Sequence, residues 1–336
     1  MPSILEELLL EFPNKKWYWV AISCNPNISI EFIENHPELP WNWALISDNP
    51  NITFEFVEKN KNKPWNKPNL SKNKSFTPEM IDLLSDKDLP CQGSDWAWFF
   101  LSKHKNITME YIENHLELPW NWMIISENPN LTIEFIENHE DKDLCWSEIS
   151  SNPAMTLDII QKHKDKPWDW GHVSYNPNLT IEFIKNNPDK KWSFAKISSH
   201  KNITMDIIEN NPNMNWYHLY VKNNPNVDIM FYINKFKMFS WRVLFNSERM
   251  SMHLFKWFLE KYKNDELGWD SSFSDKDIWK YASKHPNITL NDIEENTDDP
   301  WNWDYISYNP NITKEFVIKN MEKISWYNLS MNKFQK

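Results

Sequence analysis

Apolar positions in this chain follow neither a simple alternation nor a heptad. They form a compound pattern that restarts every two dozen residues or so. One turn of it opens with two tryptophans two apart (Trp41, Trp43) and an isoleucine three further on (Ile46). A polar stretch holding Ser47 and Asn49-Pro50-Asn51 follows, then Ile52, Thr53 and the apolar pair Phe56-Val57. The second half predicts a helix. Thr53 and its counterparts Thr108, Thr132, Thr156, Thr180, Thr204, Thr289 and Thr313, with Ser29 as their equivalent, stand where a hydroxyl accepts from the freed amides of a helix start. An acid two residues later (Glu31, Glu55, Glu110, Glu134, Asp158, Glu182, Asp206, Glu315) occupies the end of the dipole that favours negative charge. Thr77-Pro78-Glu79 carries the same signal with proline at the first helical position.

The first half also predicts a helix. Trp43 and Ile46 share a helical face, and Trp41 and Trp43 would project to different sides of it. Pro40, Pro64, Pro119, Pro167 and Pro300 fit a helix first turn, and Asn49-Pro50 ends the segment because the residue before proline avoids helical geometry.

The pattern aligns on Trp17, Trp41, Trp65, Trp96, Trp120, Trp168, Trp192 and Trp216, with Leu144 in the same place. Most successive anchors lie 24 residues apart; Trp65 to Trp96 spans 31. After Trp241 the register loosens, and it returns at Asp277, Trp301 and Trp326. About twelve two-helix units fill the chain, each too small to bury its own apolar residues, so neighbours must stack. The predicted fold is all-α: one α-solenoid over 1–336, with a capping helix in 1–16, a C-terminal cap in 326–336, and irregular inserts at 85–95 and 246–276. A leucine-rich-like α/β horseshoe has a comparable period but needs a Leu-x-x-Leu-x-Leu spacing that this chain lacks.

Composition narrows the chemistry. Only 3 of 336 residues are glycine, which excludes a phosphate-cradling loop, a dinucleotide fingerprint or a nucleophile elbow. No cofactor is expected. A net charge of −11 argues against a nucleic-acid binder. No run approaches the roughly 18 apolar residues of a membrane span, and Glu6, Glu7 and Glu11 interrupt the N-terminal apolar run where a secretory signal would be uncharged. Cys24, Cys91 and Cys145 form neither a disulfide framework nor a metal pair, which points to a reducing, cytoplasmic compartment.

Ser23, Ser47, Ser71, Ser102, Ser126, Ser150, Ser174, Ser198, Ser283 and Ser307 share one repeat position. A nucleophile needs a base and an orienting acid at one place, so this series predicts hydroxyls bonded to their own helix end or the neighbouring turn. His36, His115, His139 and His163 alternate with Asn60, Asn187, Asn211 and Asn320, while His104, His200 and His285 replace the first Asn of Asn-Pro-Asn. Both sets read as helix-end caps, suited by left-handed backbone geometry and by a side-chain hydrogen bond at the helix end. Zinc ligation is not expected, because stacked helices about 8–10 Å apart hold their rings too far from one another. The tryptophans read as core, one ring packed within its unit and the other against the next.

One surface feature points to a partner. Glu31/Glu34, Glu55/Glu58, Glu79/Asp82, Glu110/Glu113 and Glu134/Glu137 lie three apart on the capped helices and would align as an acidic ridge, a track for a basic protein segment; Lys185 interrupts it later. The expected function is a non-enzymatic scaffold for protein–protein interaction. The alternative from another class is a hydrolase with its site in the 246–276 insert, where Asp265, Glu266, Asp270, Asp275 and Asp277 supply carboxylates; its mark would be a carboxylate with a strongly raised pKa in a pocket.

The run Asn-Pro-Asn-Ile-Thr-x-Glu-Phe-Ile-Glu-Asn-His with Pro-Trp-Asn-Trp, carried here by Asn130 to His139 and Pro119 to Trp122, resembles tandem-repeat proteins of unknown function from mimivirus-like giant DNA viruses of amoebae. The resemblance covers nearly the whole chain and is weakest over 85–95 and 246–276. It implies a viral origin and a role in the infected cell or as a structural component of the virion, and it brings no catalytic residues.

Overall fold

A computed structural model describes residues 2–85, 89–90, 95–221, 223–228, 230–231, 241–246, 250–264 and 274–334. Among them every regular element is a helix and no sheet forms, so the chain is an all-α repeat solenoid. Among the described residues there are no strands to line a horseshoe. Much of both predicted inserts (86–88, 91–94, 247–249 and 265–273) lies outside the described residues; helix Met252–Lys263 is described and buries Phe255 and Phe258.

Each repeat holds two short helices. The second begins as its sequence dictates: the Thr53 hydroxyl accepts from the Phe56 amide at 3.2 Å, and Thr132 does the same for Phe135 at 3.1 Å. At Thr77-Pro78 the helix is Glu79–Leu83, so proline precedes the first helical residue instead of occupying it. The first helix differs from expectation. It starts at the second tryptophan (Trp43–Ile46, Trp122–Ile125, Trp303–Ile306), and the residue between the two tryptophans caps it. The side-chain oxygens of Asn42, Asn121 and Asn302 accept from Leu45, Ile124 and Tyr305 at 3.1–3.2 Å. Trp41 and Pro40 therefore precede the helix, in a tight turn where the Trp41 amide donates to the Leu39 carbonyl at 2.7 Å.

That placement gives each tryptophan its own task. The anchor indole donates back to the carbonyl five residues earlier, sealing the end of the preceding helix: Trp41 to His36, Trp65 to Asn60 and Trp120 to His115, all at 2.8 Å. Its edge meets the second tryptophan of the preceding repeat at 5.1–5.4 Å and near-perpendicular planes, as in Trp43–Trp65 and Trp98–Trp120. The second tryptophan stacks on the phenylalanine of its own repeat (Trp43–Phe56, Trp122–Phe135) and remains half-buried. Where the next repeat carries lysine two residues before its anchor, that ammonium covers the ring: Lys63 over Trp43, Lys142 over Trp122 and Lys190 over Trp170, at 5.1–5.5 Å.

Repeats are joined by two buried polar ladders. Each serine of the series is fully buried, and most bond in both directions. The Ser150 hydroxyl donates to Trp146 in its own helix at 2.7 Å and accepts the Asp169 amide of the next repeat at 2.9 Å. The expectation offered one partner or the other; the hydroxyl takes both. The first Asn of Asn-Pro-Asn forms the second ladder. Asn128 Oδ1 accepts from the Asn130 amide at 2.8 Å, while Nδ2 reaches the carbonyls of Ser102, Ile107 and His104 in the previous repeat at 3.0, 3.2 and 3.5 Å. Every polar atom of the amide is used, which is what a fully buried Asn requires.

Histidine substitutes here by shape. His200 Nδ1 accepts from the Asn202 amide at 3.1 Å, and Nε2 faces the Asn176 carbonyl at 3.0 Å, so the neutral Nε2–H tautomer copies the asparagine. The other histidine position uses the opposite tautomer: His115 and His139 Nδ1 donate to Tyr111 and Phe135 carbonyls of their own helices at 2.8–2.9 Å. Neither set is left-handed. The residues ending the second helices have φ of −125° (His36), −136° (His115) and −126° (His139), and Phe334 is the one positive-φ non-glycine among the described residues. Side-chain bonding, not backbone handedness, selects His and Asn at both places.

Burial holds the His200 imidazole below its usual range, with the Asn176 carbonyl pulling the other way. Because the folded pKa is depressed, the unfolded chain binds the proton more readily. This contribution to stability is full above about pH 6.5 and declines as pH falls below it. His200→Asn keeps both ladder bonds without a titrating group. Its melting temperature relative to the parent is expected to rise between pH 7 and pH 5; a pH-independent difference would contradict the assigned tautomer.

The helices form two compact units, Met1–Ala97 with Met250–Leu259 and Ser271–Lys336, and Trp98–Arg249 with Glu260–Asp270. In the first, helix Ile4–Glu11, predicted as a cap, has neighbours on both sides. Its buried Glu6 accepts from the Ser29 amide and hydroxyl at 2.8 and 2.7 Å, and Glu7 and Glu11 pair with Lys314 at 3.1 and 2.7 Å.

Candidate partner-binding faces

The second helices present the predicted acids. All ten (Glu31, Glu34, Glu55, Glu58, Glu79, Asp82, Glu110, Glu113, Glu134 and Glu137) are exposed. Glu31 to Asp82 belong to the first unit and Glu110 to Glu137 to the second. Four also serve the fold. Glu55 is held below the usual carboxylate range by its own amide and the Thr53 hydroxyl, and Glu79 by the Thr77 hydroxyl and its own amide. Glu34 meets Lys59 of the next repeat at 2.6 Å, and Glu137 meets Lys166 at 3.4 Å. Exposed pairs of this kind contribute about 0–1 kcal/mol each, so the acids are not what holds the repeats together.

The outward side of the first helices differs in kind. Helix Trp98–Ser102 buries Leu101 and Ser102 and turns Phe99 and Phe100 outward, 47% and 39% exposed. One repeat later Met123 is 56% exposed. Phe99 packs edge-on against Phe100 at 5.3 Å, under the ammonium of Lys103 at 4.6 Å. Beside them a cavity of about 450 Å³ is lined by Trp98, Phe99, Trp120, Trp122 and Met123. The equivalent outward positions hold Ser147 and Glu148 in one repeat, Ala195 and Lys196 in another, and exposed Leu219 and Tyr220 in a third. In the first unit the same face carries tyrosines: Tyr305 beside Tyr308 at 5.9 Å, and Tyr18 against Tyr327 at 4.5 Å.

Sequence reading missed this face because it asked what the repeats share. The readable signal was the opposite one: positions next to a constant Trp and Ile whose chemistry changes from unit to unit. Shallow grooves also recur. One of about 370 Å³ at Pro37, Trp41, Trp43 and Phe56 and one of about 540 Å³ at Pro188, Trp192 and Phe194 occupy the same repeat positions.

Catalytic alternatives find little here. Asp265, Glu266 and Asp270 lie outside the described residues. Asp275 and Asp277 open helix Asp275–Ser283, where Asp277 closes a capping box and is held below its ordinary range by the Ser274 hydroxyl and amide, the reverse of the raised pKa a buried general acid shows. Burial pushes the Cys24 thiol up, with Asp48 adding to it, which is an inert setting for a nucleophile. Among the described residues no three His, Cys, Asp or Glu side chains are placed to hold a metal ion, and no helix is long and apolar enough to cross a membrane. No family model, curated protein or solved structure matches the chain.

Proposed function

We propose that the protein is a non-enzymatic scaffold that binds a protein partner along its repeats. The observation carrying this reading is the cluster of Phe99, Phe100 and Met123, large apolar side chains left exposed on the first helices. Aromatic and Met side chains of this kind anchor protein interfaces, and the open hollow beside them offers a place for one partner side chain. The exposed Glu110, Glu113, Glu134 and Glu137 belong to the same unit and favour a basic segment. The resemblance to giant-virus repeat proteins sets this activity in an infected cell.

Peptide-display selection against the immobilised full-length protein tests the reading. Selected peptides are expected to combine Lys or Arg with an apolar anchor. Phe99→Ser, Phe100→Ser and Met123→Ser together are expected to weaken them by about tenfold or more. Reversing the four glutamates to lysine is expected to abolish binding, and the parent's binding is expected to fall with added salt. Selection of peptides whose affinity neither set of substitutions alters would overturn the proposal.

A further inference from the structure

Where the two ends of the chain meet in the first unit, they reproduce the serine ladder, two of the asparagine bonds and the tryptophan contact that join one repeat to the next. The serine ladder continues: Ser330 Oγ accepts the Tyr18 amide at 3.1 Å, as Ser23 Oγ accepts that of Asn42 at 3.0 Å. So does the asparagine ladder. Asn25 Nδ2 donates to the carbonyls of Ser330 and Asn332 at 2.8 and 3.1 Å, as Asn49 Nδ2 donates to those of Ser23 and Asn25 at 3.3 Å. Trp17 meets Trp326 edge-on at 5.0 Å and 83°, matching Trp279–Trp301 at 5.1 Å and 83°. Lys15 covers the Trp326 ring at 5.2 Å, the distance of Lys190 over Trp170. Lys314 adds the ion pairs to Glu7 and Glu11.

An ordinary solenoid ends in polar capping repeats because an exposed repeat face is sticky. Here the N-terminal face bears Asn25 and the Tyr18 amide, and the C-terminal face bears Ser330, Trp326 and two carbonyls. Each is covered by the other. Nothing in these bonds depends on the two faces belonging to one polypeptide, and the two surfaces are different, so contact between copies would be head-to-tail. We propose that this junction is an exchangeable interface whose partner is a second copy of the same chain. Joined within one chain it keeps the protein monomeric; when the ends separate, the same bonds form between molecules.

Two full-length variants with complementary defects test this. The first carries Glu7→Lys, Glu11→Lys and Asn25→Asp, which spoil the N-terminal face and leave the C-terminal face intact. The second carries Trp326→Ala, which spoils only the C-terminal face. Each alone has one good face and no match for it, and is expected to be a monomer by light scattering with its helical circular dichroism retained. Mixed in equal amounts, the good faces match. The expected product is a dimer holding one chain of each variant, with no larger species because the remaining two faces are both defective; native mass spectrometry of tagged chains reads its composition. A mixture that stays monomeric overturns the proposal. So does self-association of either variant alone, because the contact would then lie elsewhere. Loss of helical signal in either variant also overturns it, since the junction would be required for folding and could not be exchanged.

Discussion

Asn128→Asp is expected to lower stability by about 3–5 kcal/mol at neutral pH, the range seen when a buried charge is left uncompensated. The change is nearly isosteric, so it leaves no cavity, and Oδ1 keeps the Asn130 amide. What it removes is Nδ2. The new oxygen faces the carbonyls of Ser102, His104 and Ile107 with no proton to give them, and the site is 0% exposed. Three acceptors against a carboxylate favour its neutral form, raising its folded pKa above the unfolded value of about 3.9. A raised pKa means that the folded form gains on the unfolded one as pH falls, so the deficit shrinks on acidification toward pH 5. Urea titrations at pH 7 and pH 5 measure it. A loss under about 1 kcal/mol, or a deficit that grows in acid, would show that water or another donor reaches the ladder.

Trp65→Ala is expected to cost a similar 3–5 kcal/mol by a different route. The indole is fully buried, packs edge-on against Trp43 and Phe56 at 5.4 and 5.8 Å, and donates to the Asn60 carbonyl at 2.8 Å. Alanine leaves a large cavity between two repeats and removes one of the two donors to the Asn60 carbonyl, the Lys63 amide remaining at 2.9 Å. Because stability in a repeat stack is a sum of unit and nearest-neighbour terms, the damage should be local. Amide exchange is expected to accelerate most in Trp43–Ile46 and Phe54–Lys59, on either side of the lost ring. Uniform acceleration along the chain would argue for a single cooperative core. Trp65→Phe separates the two contributions, since it keeps most of the packing and still loses the hydrogen bond.

The sequence made much of this legible. Thr at each second-helix start and the buried Phe-Ile or Phe-Val pair after it were readable because capping and amphipathic packing act within one or two turns of chain. The inter-repeat use of Asn was not, although the Asn-Pro-Asn motif itself is plain in the sequence. A bond from Asn128 to Ile107 spans 21 residues, and no local window contains both ends. The cap at Asn42 was within reach: Trp-Asn-Trp places a capping residue directly before a helix, but the preceding proline suggested an earlier start. The acids were found and are exposed as expected, whereas the apolar face at Phe99, Phe100 and Met123 was overlooked because it breaks the repeat's pattern.

By itself the amino-acid order determined the period, the helical class, the polar caps and the residues that make the core, since each follows from propensity and side-chain chemistry over short stretches. Only the folded arrangement decided which carbonyls the ladder side chains satisfy, which tautomer each histidine adopts, and that Tyr18 and Asn25 find Ser330 and Asn332. Those outcomes depend on how one repeat is set against another, and a unit of 24 residues carries identical bonding groups whether its neighbour precedes it, follows it or comes from the far end of the chain.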